Sequence, residues 1–291
     1  MTLDKKIGFF LMRKITNKRI MDMITNMKAR RIGKTNIQNN GSLFVEENRK
    51  EFHVANLAND GYSVLDHKLS PEKVKAIVDY SEQIKCYDTY HSETKPIDLK
   101  NPPPDAHVAN FRREDLIKFK PILDIANDPG ILQVVQEFLG AKPTISNINM
   151  WWSFGGRKQA EHAQLFHRDL DDWRFCKLFI YLTDVGEKSG PHVYVRKTSQ
   201  SPLFRKIRRY SDHEVEITFG KDNILRFTDT RGGAFIVDTY GFHKGLLPEV
   251  DNRLLLQIQY SLHPIGIEKY EPIKINNPGY NKYINRLLIQ D

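Results

Sequence analysis

From Thr144 onward the chain breaks into short apolar runs, at residues 145–152, 177–185, 192–195, 224–227, 234–238 and 254–262, each bounded by Gly, Pro, Asp or Ser. Runs of that length, rich in Ile, Leu, Val, Phe and Tyr and cut by turn formers, predict β-strands. The first half reads differently. A short strand at residues 61–65 precedes a helix opened by Ser70-Pro71, with Val74, Ile77, Val78 and Ile84 on one stripe. The proline-rich stretch Asn101-Pro-Pro-Pro-Asp105 is extended loop. Asp128-Pro129 opens a second helix, whose Ile131, Val134, Val135, Phe138 and Leu139 share a face before Gly140 stops it. Helices followed by six or more strands predict a mainly β fold, a sandwich or barrel with a helical layer packed on it. No internal repeat points to a propeller or solenoid.

Charge narrows the function classes. The formal net charge is +8, and residues 1–35 alone hold ten Lys/Arg against Asp4 and Asp22, so the remainder is neutral. The basicity belongs to an N-terminal arm, not to a surface that tracks a phosphate backbone, which argues against nucleic acid as a partner. Within the arm Ile7, Leu11 and Ile15, then Ile20, Ile24 and Met27, recur at helical spacing between the basic residues. Residues 1–42 are therefore expected to form a basic amphipathic arm and linker, and residues 43–291 a single catalytic domain. Such an arm can contact an acidic surface, the cytoplasmic face of an anionic membrane among them. The two cysteines, Cys86 and Cys176, are too few for a disulfide framework and read as buried thiols in a reducing compartment. No run approaches a membrane span and no secretory h-region is evident, so the expected location is the cytoplasm, with a peripheral membrane contact through the arm.

With no cysteine cluster, a metal site must use His and carboxylate. In Phe166-His167-Arg168-Asp169 the imidazole and carboxylate stand two residues apart at a strand end and can face one point. They are two of the three ligands of the facial triad, the arrangement that leaves three positions on Fe(II) open. Alone the motif is cheap: His91-Ser92-Glu93 offers the same ligand types. The segment 233–243 adds an apolar strand whose exit carries His243, and ten residues later Arg253 opens the next strand. That order suits 2-oxoglutarate, which chelates iron through its 2-oxo acid end and offers a distal carboxylate to a guanidinium. Trp151 and Trp152 face opposite ways on one strand, so one is core and the other can wall a pocket. His162, His192, His213 and His263 are expected at loops or strand ends and not at a metal. The long connection 201–231, with Arg205, Lys206, Arg208 and Arg209, is a candidate lid or a solvated loop.

On these residues, and on Ser189-Gly190-Pro191-His192-Val193-Tyr194-Val195, the chain resembles the phytanoyl-CoA dioxygenase-like family over residues 61–262. The resemblance implies a double-stranded β-helix (a cupin-like jelly roll), Fe(II), 2-oxoglutarate as co-substrate and hydroxylation of a small-molecule substrate with release of succinate and CO2. It implies the metal ligands His167, Asp169 and His243, and co-substrate contacts from Arg253, Asn149 and Phe179. The presence of Asp169 favours hydroxylation over the halogenation carried out by relatives that lack this carboxylate. Two positions depart from the family pattern. Arg196-Lys-Thr-Ser199 stands where Pro-Gly-Ser-His is usual, and Gly245 replaces the small polar residue two after the distal His. Two other classes compete: a non-catalytic jelly-roll binding protein, and an O2-independent metal-dependent isomerase or hydrolase on the same scaffold.

Overall fold

The computed structural model describes residues 9–15, 17–38, 40–203, 206–276 and 279–290, apart from the side chains of Ser92 and Glu93. Its strands are β1 (Tyr62–Val64), β2 (Cys86–Asp88), β3 (Ser92–Pro96), β4 (Val108–Phe111), β5 (Thr144–Ser153), β6 (Phe175–Tyr181), β7 (His192–Val195), β8 (Ile224–Phe227), β9 (Ala234–Val237), β10 (His243–Gly245) and β11 (Arg253–Ser261). Its principal helices are α1 (Lys18–Ile32), α2 (Lys50–Asn59), α3 (Pro71–Ser81), α4 (Arg113–Leu116), α5 (Lys120–Ala126), α6 (Pro129–Leu139) and α7 (Asp212–Phe219). Eight strands make one sheet in the order β1-β9-β6-β11-β5-β4-β2-β3, and β10-β7-β8 make a smaller one. The six strands expected in the second half are all present. Strands β2–β4, ordered β4-β2-β3, were not foreseen, because they are short and the proline-rich loop separates β3 from β4.

Strand periodicity decides what each face of the large sheet does. At the centre, Leu256 of β11 lies opposite Met150 and Ile180, while the next residue, Gln257, lies opposite Asn149 and Phe179. The even-numbered side chains (Ile148, Met150, Leu178, Ile180, Leu254, Leu256, Ile258) join the main core beneath α6, which contributes Ile131, Val134, Val135 and Leu139. The odd-numbered side chains point into the barrel, where Phe179, Tyr181, Tyr194, Phe235 and Leu255 form a second cluster. Every residue of β11 is buried, its outward face wholly apolar and its inward face carrying Arg253, Gln257 and Gln259. α6 starts and stops as its ends dictate. Asp128 accepts from Ile131 N (3.0 Å) at the N-cap, and Gly140 adopts φ 77° at the C-cap.

The N-terminal segment lies along this helical layer. α1 buries Met21, Thr25 and Ala29, not the Ile20-Ile24-Met27 stripe read from the sequence; Ile20, Met23 and Met27 are exposed. The stretch expected to be a linker is tied down. Thr35 N donates to Gln136 (2.9 Å), Gln133 donates to Ile37 O (2.9 Å), and Ser42 Oγ and Leu43 N both donate to Asp128 (2.6 Å each). Ile7 of the first stripe lies outside the described residues. Among the described residues no helix is long and apolar enough to cross a membrane.

The turn after β7 shows how the departure at residues 196–199 is accommodated. Lys197 takes the left-handed conformation (φ 65°), and Thr198 Oγ1 both donates to Val195 O (2.6 Å) and accepts from Phe242 N (2.8 Å). A side chain in the left-handed region costs roughly 1–2 kcal/mol. Its exposed ion pair with Asp60, at 3.9 Å, offsets little of that. Lys197→Gly should therefore raise stability by about 1 kcal/mol, measured as an upward shift of the urea midpoint with unchanged slope.

Candidate metal centre

His167 and His243 are brought together by their own backbones. They pair as an isolated antiparallel bridge, His167 N donating to His243 O (3.0 Å) and His243 N to His167 O (3.1 Å), with ring centroids 4.3 Å apart. Each ring is then fixed through Nδ1, which donates to Leu165 O (2.8 Å) in His167 and to Gly241 O (3.0 Å) in His243. Those bonds select the tautomer that leaves both Nε2 atoms as free lone pairs. Asp169 is placed by its backbone N–H on Thr239 O (2.9 Å), and its carboxylate reaches 3.6 Å from His167 Nε2 and 3.3 Å from His243 Nε2. One ligand atom from each residue falls within 4.8 Å of the others, the only such His/Cys/Asp/Glu group among the described residues.

The electrostatics suit a cation. Burial, with His243 alongside, pushes His167 down to about 3, so its imidazole is neutral at physiological pH. Burial pushes Asp169 up, but Lys177 and the two histidines outweigh it and hold the carboxyl well below its usual range. Lys177 Nζ donates to Asp169 Oδ2 at 2.7 Å and lies 3.4 Å from Asp171, an arrangement that raises the buried ammonium despite its desolvation. The donor set, two imidazoles with bound Nδ1 and one ionised carboxylate, fits a first-row divalent metal with open positions.

The site opens into a cavity of ≈ 240 Å³ within the barrel. Asn149, Phe179 and Arg253 all line it, as does Trp151, while Trp152 packs against the main core. Arg253 is fully enclosed. Its guanidinium donates to Gly190 O through Nη1 and to Ser153 Oγ through Nη2 (3.1 Å), and its Nε has no partner among the described residues. Gly190 is required at its position: it has φ 72°, and a Cβ there would stand 2.5 Å from Leu246 O.

Lys177 and His192 are among the lining residues that sequence reasoning missed. Lys177 carried a signal, since a charge inside Phe175-Cys-Lys-Leu-Phe-Ile-Tyr181 must find partners when that strand is buried. His192, expected at a loop or strand end and not as a metal ligand, begins β7, lines the cavity and stacks on Phe227 at 5.9 Å. His91 is bonded to Asp88 (2.8 Å), and the Glu93 side chain lies outside the described residues. The 201–231 connection does reach the site: Tyr210 N donates to Phe166 O (2.9 Å), and Lys206, Arg208 and Arg209 line a cleft that borders His167 and Asp169. Arg205 lies outside the described residues.

No protein-family model matches the sequence, and no curated protein sequence does. Solved structures match the fold. The non-haem alpha-ketoglutarate-dependent carbocyclase SnoK of nogalamycin biosynthesis aligns at TM-score 0.57 and 16% identity, over 76% of this chain and 87% of that one. EctD from S. alaskensis, with bound Fe, aligns at 0.56 and 13%, over 89% and 93%. HygX from Streptomyces hygroscopicus, with nickel, 2-oxoglutarate and hygromycin B bound, aligns at 0.54 and 12%, over 82% and 96%. The fold is the cupin-like double-stranded β-helix. The likeness is one of fold, and no model of the phytanoyl-CoA dioxygenase-like family matches.

Asp169→Ala should cut Ni(II) affinity, measured by calorimetry, by at least the roughly 10- to 100-fold that loss of an outer-shell partner costs. The metal-induced rise in melting temperature should shrink with it. His91→Ala is expected to change neither; the reverse pattern would move the metal site elsewhere.

Proposed function

We propose that the chain is an Fe(II)/2-oxoglutarate-dependent oxygenase that hydroxylates a small-molecule substrate. The observation that carries this reading is the shared cavity: a two-His, one-carboxylate cluster and an enclosed arginine with an unpartnered donor open into the same space. A binding protein has no need of either, and an O2-independent hydrolase has no need of a buried guanidinium facing its metal site.

Bound iron with 2-oxoglutarate and O2 supplies a two-electron oxidation, in which a C–H bond becomes C–OH as 2-oxoglutarate becomes succinate and CO2. This chain's residues do the positioning. His167, Asp169 and His243 would hold the metal, with Lys177 fixing the plane of the carboxylate through Oδ2. Arg253 would take the distal carboxylate of the co-substrate, and Asn149 and Phe179 would flank it. Phe179, Tyr181 and Phe235 exclude water from the buried end. Substrate would enter by the cleft beside Asp169, whose Arg13, Lys206 and Arg209 suit an anionic group. Purified protein with Fe(II), 2-oxoglutarate and O2 should release succinate, at a rate raised by the true substrate. Failure of the iron-loaded protein to bind or consume 2-oxoglutarate would reject the reading. Arg253→Lys keeps the charge but loses the two-donor geometry, so it should weaken 2-oxoglutarate binding about tenfold or more while metal affinity holds.

A second reading concerns location, and the outer face of the N-terminal segment supports it. Phe10, Leu11, Ile20, Met23 and Met27 are between 45% and 58% exposed, beside exposed Arg19, Arg30 and Arg31. Apolar side chains flanked by cations suit the surface of an anionic bilayer, where each Lys/Arg contributes about 1 kcal/mol. The double substitution Met23→Glu/Met27→Glu leaves the buried face of α1 intact. It should abolish co-sedimentation with phosphatidylserine vesicles; undiminished co-sedimentation would dismiss the membrane contact.

A further inference from the structure

Among the described residues, three nitrogens of the cavity lining are buried without a partner, Nε2 of Gln164, Nε of Arg253 and Nε2 of His192, and the last two belong to neighbouring side chains around Gly245. Neither is loosely held. The His192 backbone N–H donates to Tyr181 Oη (2.9 Å), and its ring lies parallel to Phe227 (5° between planes) with Phe179 at 4.7 Å, so the imidazole has a fixed plane. Arg253 is fixed by Gly190 O, two residues before His192, and by Ser153.

What lies between the two groups is decided by register. His192 on β7 is paired with Gly245 on β10. Side chains of directly opposed residues stand on one face of a sheet, so any other residue at 245 would fill the space beside the imidazole. Gly245 leaves it open toward Arg253, whose Nη2 stands 3.2 Å from where a Cβ at 245 would be. A guanidinium donor beside an imidazole nitrogen in one desolvated space suits an acceptor with more than one oxygen and negative charge, which would hold the imidazole proton on Nε2. An apolar group placed there would leave both donors unsatisfied.

We propose that His192 is a second anchor for the distal carboxylate of 2-oxoglutarate, its Nε2–H donating to one carboxylate oxygen while Arg253 takes the other. This rests on the 2-oxoglutarate reading of the site and assigns to it a residue that touches the distal carboxylate, from a ring stacked 5.6 Å from that of His243. The consequence is selectivity. A 2-oxo acid with a C5 carboxylate engages both donors, and one without it engages neither.

The test compares two ligands that share the metal-binding end. Calorimetry on the Ni(II)-loaded full chain uses 2-oxoglutarate and 2-oxobutyrate, which lacks the distal carboxylate. His192→Phe retains an aromatic ring against Phe227 and removes the donor. It should weaken 2-oxoglutarate about 10- to 100-fold, the range for a hydrogen bond to a charged group, and leave 2-oxobutyrate within about twofold of the parent. His192→Gln, which keeps an N–H donor, should recover most of the lost affinity. His192→Leu gives the same comparison should the Phe variant not fold. Unchanged 2-oxoglutarate affinity in the donor-less variants overturns the assignment of His192 while the functional reading stands. Equal weakening of both ligands also overturns it, because the residue would then shape the pocket as a whole. A parent protein that binds Ni(II) but not 2-oxoglutarate rejects the functional reading itself.

Discussion

The two hydrogen bonds exchanged between the backbones of His167 and His243 fix the site on which everything else converges. One histidine lies in the segment between β5 and β6 and the other begins β10, 76 positions apart by their numbers in the sequence. Their pairing sets the rings 4.3 Å apart, and the carbonyls of Leu165 and Gly241 then choose the nitrogen that faces inward. Because the anchoring bonds come from backbone, the ligand geometry is determined by strand pairing and is insensitive to most side-chain changes nearby. Asp169 completes the cluster in the same way, from its backbone bond to Thr239.

The large sheet supports this by dividing its side chains between two tasks. Its outward residues build a core with the helical layer, and stability is concentrated there. Its inward residues are free to be polar in register, with Gln257 between Asn149 and Phe179, Gln259 beside Lys177, and Arg253 opposite Ser153. Such a row is costly unless each member has a partner or a ligand. Lys177 finds Asp169 and Asp171, whereas Arg253 and His192 keep donors pointing into unfilled bonding directions.

Much of the fold was legible in the sequence because turn formers bound each strand of the second half and because Ser70-Pro71 and Asp128-Pro129 mark helix starts unambiguously. The triad residues were legible through order along the chain: a ligand pair, a strand exit with a histidine, then an arginine. What was not legible depends on tertiary placement. The face of α1 that packs is Met21, Thr25 and Ala29, and two of these are small or polar, so hydrophobicity alone points to the opposite side. His192 does begin a strand, as expected, but its place in the cavity lining follows from tertiary pairing with a glycine 53 positions later by number. The reach of the 201–231 connection to His167 and Asp169 likewise follows from the Phe166–Tyr210 bridge, which no local pattern announces.

The central claim is that the His167, Asp169 and His243 cluster and the Arg253 end of the cavity act on one bound co-substrate. It is tested most directly by adding 2-oxoglutarate, without oxygen, to the Fe(II)-loaded protein and recording its visible absorption. Chelation of the metal by the 2-oxo acid should produce a charge-transfer band that saturates at one equivalent and requires a higher 2-oxoglutarate concentration in Arg253→Lys. An iron-loaded protein that develops no band on addition of 2-oxoglutarate, or one whose titration is unaffected by the Arg253 substitution, would contradict it.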